Sequence, residues 1–156
     1  MDIELIYDKP IRLQTIMDTF LYKDIETGDC PVCNLLSSKP KDKIRIMANI
    51  NNVFNGAKGI ASKFVKPCRG GKCHDGKTVY EIIVQLPRNV LIRIFFVYFD
   101  NIAILFDWLE KRHKPDYGKT EANEVDKKYM EKISNTAGLY KKYLNNKDCL
   151  RKINFK

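Results

Sequence analysis

An α+β fold is expected of this chain, and three observations point to it. Two apolar runs, Val79–Leu86 and Val90–Phe99, are punctuated by Pro87-Arg88-Asn89 and Asp100-Asn101 and lead into a third, from Ile102 to about Leu109. Apolar residues recur at three- and four-residue steps before and after that block. The resulting order is strand, two helices, three-stranded meander and helix, which segregates helices from strands instead of alternating them. The architecture expected is a small antiparallel, mixed-edge β-sheet with two N-terminal helices and one long C-terminal helix.

Each element has a local reason. Residues 1–16 carry no clear signal: Ile3-Glu4-Leu5 begins to alternate and Pro10 interrupts. Met17 to Lys23 reads as a short strand, with Phe20, Leu21 and Tyr22 suited to a pleated surface. Thr27-Gly28-Asp29 is a turn, and Asp29 is the expected cap of a helix entered through Cys30-Pro31. Val32, Cys33, Leu35 and Leu36 mark one face of that helix, which Ser37-Ser38 ends. A second helix starts near Pro40, carries Ile44, Met47, Ile50 and Val53/Phe54, and stops at Gly56.

Residues 66–78 contain Pro67, Gly70, Gly71 and Gly76 and read as a loop. In the meander, Asp100-Asn101 suits a two-residue hairpin because both residues tolerate positive φ. Thr120-Glu121 opens the last helix, whose stripe is Ala122, Val125, Tyr129, Ile133, Thr136/Ala137, Tyr140 and Leu144. The basic tail, 145–156, is expected to be loosely held.

At 156 residues the chain is read as a single domain, long enough to bury a core without disulfides. No run reaches the roughly 18 apolar residues a membrane span requires. Met1-Asp2-Ile3-Glu4 lacks a basic leader, so a cytoplasmic protein is expected. Five cysteines, an odd number, then suggest reduced thiols. A net charge of +9, from 28 Lys+Arg against 19 Asp+Glu, favours a phosphate polyanion or an acidic protein as partner. The positive charge is also clustered at 111–119.

The sharpest site candidate is Arg93, set between Val90-Leu91-Ile92 and Ile94-Phe95-Phe96, where a guanidinium is costly without a partner or an anionic ligand. A two-residue hairpin would pair Phe95 with Phe106 and Arg93 with Trp108. Alternation would then bring Arg93, Trp108, Glu110 and Arg112 to one face. His113, inside Lys111-Arg112-His113-Lys114, is either a solvated base or a proton-transfer group facing phosphate. Tyr117 is a loop aromatic, a stacking platform for an RNA base or an acid/base phenol. Trp108 is read as packing.

Cys30-x-x-Cys33 with Cys68-x4-Cys73 could ligate a structural zinc, with His74 as a substitute ligand. Against that stands Cys33 as a small hydrophobe and Cys68/Cys73 as loop thiols. Gly70-Gly71 lacks the strand-to-helix context of a phosphate loop.

Three blocks of sequence resemble the RelE/HigB superfamily of toxins from bacterial toxin–antitoxin pairs, nearest the HigB-like, phage-derived Gp49-like branch. They are Phe20-Leu21-Tyr22-Lys23 with Cys30-Pro31-Val32 opening a helix; Val79-Tyr80-Glu81-Ile82 with Ile92-Arg93-Ile94-Phe95-Phe96 and Ile102-Ala103-Ile104-Leu105; and Lys111-Arg112-His113-Lys114-Pro115 before a helix opening on acid. The likeness covers roughly 17–145, leaving residues 1–16 as an N-terminal extension and 145–156 as a tail.

The resemblance implies a RelE-like fold and a metal-independent mRNA endoribonuclease, in many members acting on the ribosome and neutralised by an acidic antitoxin. No cofactor is implied. The ribose 2′-hydroxyl attacks the adjacent phosphate. By correspondence Arg93 clamps phosphate and Arg112 stabilises phosphate or the leaving group. His113 or Tyr117 moves the proton. Lys111, Lys114, Lys119 and Arg88 hold the RNA backbone. The chain departs from the pattern at Ile83, where relatives carry a basic residue, and in the altered terminal motif 111–117. Two other classes therefore stay open: a catalytically impaired RNA- or protein-binding module on the same scaffold, and a zinc-stabilised nucleic-acid-binding domain.

Overall fold

A computed structural model describes residues 17–55, 64–112, 119–153 and 155, with the side chains of Arg112 and of residues 119–123 outside the description. Among the described residues nine elements follow in order. They are β1 Asp18–Tyr22, α1 Pro31–Ser38, α2 Lys43–Asn55, β2 Val65–Lys72, β3 Thr78–Leu86, β4 Val90–Phe99, β5 Ile102–Arg112, α3 Lys119–Asn145 and β6 Leu150–Lys152. The strands form one six-stranded sheet in the order β2-β3-β4-β5-β1-β6. All pairings are antiparallel except β1 with β5. The α+β class is as expected, with the sheet mixed.

The sheet divides two apolar layers. On one face, α1 and α2 bury Val32, Leu35, Ile46, Ile50 and Phe54 against Ile82, Ile92, Ile94, Phe96 and Leu105. On the other, α3 sets Ile133, Tyr140 and Tyr143 against Val79, Phe95, Val97, Ile104 and Phe106. Such near-complete apolar runs in β3, β4 and β5 are what strands covered on both faces require. Trp108 packs on the α1/α2 side, as its reading as a packing residue implied.

Several local expectations need correction. The cap of α1 is Cys30, one residue beyond Asp29: its sulfur accepts a hydrogen bond from the Cys33 N–H at 3.3 Å, and Pro31 takes the first helical position. The stripe of α2 runs through Ile46, Ile50, Val53 and Phe54, which leaves Ile44 84% exposed. Leu144 is likewise exposed, and Tyr143 takes the buried place in α3.

The span read as a loop at 66–78 is largely the edge strand β2. Pro67 is tolerated there because an edge position has no second ladder to donate to. The β2–β3 register shifts between Pro67 and Lys72, where Gly70 takes φ +69. Gly71 is held close to α3: a Cβ there would lie 3.2 Å from Ile133 Cγ2 and 3.1 Å from Val79 Cβ.

The tail is not loose. β6 pairs with β1, and Cys149 and Ile153 are buried.

The Asp-Asn hairpin forms as read, with Phe99 opposite Ile102 and Asp100 at φ 52. The register derived from it does not extend. A bulge at Phe106 inserts one residue into β5, so Phe95 faces Asp107, Ile94 faces Trp108 and Arg93 faces Leu109. The shift carries Asp107 to the side where donors wait: its buried carboxylate accepts from Lys132 Nζ at 3.1 Å, Asn135 Nδ2 at 2.7 Å and the Trp108 N–H at 2.8 Å. Beyond the bulge the two faces of β5 are exchanged.

Candidate nucleic-acid interface

Because of that exchange, Arg93 shares its face with Leu109 and Lys111, while Trp108 and Glu110 lie on the opposite face. Glu110 pairs with Lys39 at 2.6 Å on the α1/α2 side. Arg112 stands opposite Val90, a ladder position that alternation places with Glu110 and away from Arg93. The expected convergence of Arg93, Trp108, Glu110 and Arg112 on one face is therefore replaced by a different set.

That set forms a cleft of about 180 Å³ between β2, the β4–β5 pair and the start of α3. Lys66 and Arg69 reach it from β2, Arg93 from β4 and Lys111 from β5, while α3 contributes Val125, Asp126 and Tyr129. Four cations and one carboxylate line it, so an unliganded cleft carries a strongly positive field. Two of the expected residues, Arg93 and Lys111, are brought together here. Two more, Lys66 and Arg69, were hidden in the stretch read as a loop, and only the general excess of positive charge hinted at them.

Arg93 is held firmly at the floor. Its guanidinium donates to Oε1 of Glu81 and sits 5.5 Å from the centre of the Tyr129 ring. The Glu81 side chain is 0% exposed and that of Arg93 is 13% exposed. The second carboxylate oxygen, Oε2, accepts from the Tyr129 hydroxyl and from the Cys68 thiol. A buried carboxylate is tolerable only with such saturation. Burial and then the Glu81 carboxylate raise the Tyr129 phenol well above its usual range, so it stays protonated and acts as a donor. Burial, followed by the Glu81 charge, pushes the Cys68 thiol up to about 12.

Ile83 lies directly opposite Arg93 in the β3–β4 ladder and so on the same face. Arg88 is exposed in the β3–β4 turn at φ 66, at the end of the sheet where Val90 meets Arg112. Lys119 begins α3, its side chain outside the description. His113, Lys114 and Tyr117 lie outside the described residues.

The cysteine quartet does not assemble. Cys30 and Cys33 form a disulfide with Cα atoms 5.1 Å apart, and both belong to the α1/α2 core. The expectation of reduced thiols fails at this pair because capping by Cys30 brings Cys33, one turn on, within bonding reach. Cys68 and Cys73 are buried free thiols in the core on the other face of the sheet, Cys68 on β2 and Cys73 in the β2–β3 loop as read, and His74 is exposed. Among the described residues no group of three or more His, Cys, Asp or Glu could hold a metal ion. Sulfurs spent in a disulfide are not zinc ligands, so the proposed quartet is not a zinc site.

Among the described residues, no helix is long and apolar enough to cross a membrane. No protein-family model, no curated protein and no solved structure matches the chain.

Proposed function

We propose that the chain is a RelE/HigB-like toxin with a RelE-like fold, a metal-independent endoribonuclease of cytoplasmic mRNA, and that the Lys66–Arg69–Arg93–Lys111 cleft is where RNA phosphates lie. The observation that carries this reading is the cleft itself: among the described residues four cations from three separate strands line it, with Asp126 as the lining carboxylate and Glu81 buried beneath Arg93. Attack of a ribose 2′-hydroxyl on the adjacent phosphate gathers negative charge on the phosphate oxygens, and fixed cations in a partly dry site stabilise it by several kcal/mol. Arg93, braced by Glu81, is pre-organised for that role. Lys66, Arg69 and Lys111 hold the flanking backbone, joined by Lys114, Lys119 and Arg88 along the sequence. Tyr129 is committed to Glu81 as a donor, so the proton is moved by His113 or Tyr117. The expected role of Arg112 at the phosphate is dropped, because its ladder position is on the opposite face from Arg93. The same positive field suits an acidic antitoxin, whose carboxylates would block the cleft.

A second reading, an RNA- or protein-binding module without cleavage, is favoured by the ladder position of Ile83. Relatives put a cation there, and here an aliphatic side chain stands opposite Arg93. Incubating the purified chain with mRNA, with and without programmed ribosomes and in the presence of EDTA, separates the two. Cleavage products ending in a 2′,3′-cyclic phosphate support the nuclease. Salt-sensitive RNA binding with intact RNA supports the module. Neither cleavage nor binding overturns both.

A further inference from the structure

Cys30 and Cys33 lie on the α1/α2 side of the sheet, away from the basic cleft, and no step of RNA cleavage uses them. They sit in a Cys-Pro-Val-Cys segment that turns into α1, with Cys30 as the cap and Pro31 in the first turn. Cys30 is 4% exposed, whereas Cys33 is half-buried and opens on a cavity of about 280 Å³. Lys43 of α2 and Arg151 and Lys152 of β6 line that cavity, with Met47 as its apolar wall and no carboxylate among the lining residues. An Arg151 guanidinium N–H donates to Cys33 Sγ at 3.7 Å.

We propose that Cys30–Cys33 is a redox-active disulfide that exchanges with a small, carboxylate-bearing thiol admitted through the Lys43–Arg151–Lys152 cavity, with Cys33 as the sulfur attacked.

The exchange balances as two substitutions at sulfur. An incoming thiolate attacks Cys33 Sγ, the Cys30–Cys33 bond breaks, and Cys30 leaves with the electron pair as a thiolate. A second thiolate then attacks the mixed disulfide at the small thiol's sulfur and releases Cys33 as a thiolate. The net change reduces the protein disulfide to a dithiol and oxidises two small thiols to their disulfide, the two protons passing to the protein sulfurs. Each departing charge has a partner in place. Cys30 faces the N–H of Cys33 at the positive end of α1, and Cys33 faces the Arg151 guanidinium. The other described cysteines are unsuited to such exchange. Cys68, Cys73 and Cys149 are buried, and burial pushes the Cys68 and Cys73 thiols up to about 12 and about 11.

The full chain tests this in buffers of reduced and oxidised glutathione, trapped by acid alkylation and read by mass spectrometry. The pair is expected to titrate reversibly between disulfide and dithiol with the far-UV circular dichroism unchanged. Cys30→Ser is expected to accumulate a glutathione adduct on Cys33, and Cys33→Ser to accumulate none on the buried Cys30. Lys43→Gln with Lys152→Gln, both surface changes that leave Arg151 beside Cys33, should slow reaction of the reduced pair with oxidised glutathione about threefold or more while leaving reaction with cationic cystamine unslowed. A bond that persists at the reducing end until the fold melts would be a structural staple and overturns the proposal. So does equal slowing of both probes, or an adduct confined to Cys30.

Discussion

The Glu81 carboxylate and the Arg93 guanidinium form an ion pair diagonally across the β3–β4 ladder, the acid wholly buried and the base at the floor of the cleft. Arg93 thus has two roles. Part of its field neutralises Glu81, and what remains faces the cleft, where Lys66, Arg69 and Lys111 supply the larger share of unpaired positive charge. A guanidinium among apolar strand residues must have a partner, and here the partner is internal.

Breaking that pair from the basic side leaves a charge stranded. Arg93→Gln is expected to destabilise the fold by about 3 kcal/mol in urea denaturation, because Glu81 then lacks its counter-ion in a dry site. Glu81→Gln combined with Arg93→Gln should recover roughly half of that destabilisation or more. A double variant no more stable than Arg93→Gln alone would show that the pair carries no coupling. This cost also makes Arg93 a poor lone probe of catalysis, since activity and folding would fall together.

Cleaner probes line the rim. Lys66→Gln, Arg69→Gln and Lys111→Gln each remove a cation of the cleft that pairs with no carboxylate among the described residues, and each should leave stability nearly unchanged. Each is expected to lower the slope of log affinity for single-stranded RNA against log salt by about 0.7, as follows when one fewer phosphate is neutralised. Fluorescence anisotropy across a salt series reads it. An unchanged slope in all three would remove the cleft from RNA binding.

Asp75 and Tyr140 give a pH-dependent hydrogen bond. The Tyr140 hydroxyl donates to Asp75 Oδ2 at 2.8 Å. Burial pulls the Asp75 carboxyl upward, but this bond and the Lys77 N–H and charge outweigh it and hold the group below its ordinary 3.8. A depressed carboxyl contributes stability above its unfolded value and loses it as pH falls through the folded one. Tyr140→Phe should therefore cost about 1 kcal/mol at neutral pH. The gap to wild type should close in denaturation series carried below pH 3.8. A gap that persists at low pH would show that the cost does not depend on the Asp75 charge.

The legible parts of this fold were those written in unbroken apolar runs. β3, β4 and β5 show themselves because both faces are covered, and the turns between them carry residues suited to positive φ, Asn89 and Asp100 among them. β2 was illegible for the converse reason: an edge strand with a register shift tolerates Pro67, Gly70 and Gly71, the residues that argue for a loop. Lys66 and Arg69 went unseen with it. The bulge at Phe106 left one trace, the lone acid Asp107 in an otherwise apolar run, and a carboxylate on a covered face has to find donors. Without that trace, a regular ladder puts Trp108, Glu110 and Arg112 on the wrong face. Short β6 hid within a tail whose charge outweighed Leu150 and Ile153. Cys30 and Cys33 stood out by their spacing but were weighed only as reduced thiols or zinc ligands, since helix capping that draws the two sulfurs together is a matter of backbone geometry.

The position opposite Arg93 decides how far the nuclease reading can go. Ile83 donates its N–H to the Phe64 carbonyl at 2.8 Å, so its backbone is fixed and its half-buried side chain lies on the face of the cleft beside Arg93. Ile83→Lys keeps the strand and adds a flexible cation whose stem can follow the apolar wall while the ammonium reaches solvent. If cleavage is limited by too few charges around the scissile phosphate, this variant should cut RNA about tenfold faster or more than wild type, the effect expected of one added transition-state interaction. Its RNA affinity should rise by a smaller factor, because ground-state phosphate is already held by the rim cations. Gel-resolved cleavage under single-turnover conditions, with anisotropy for affinity, separates the two quantities. Tighter binding with no cleavage in either protein would place the chain among RNA-binding modules.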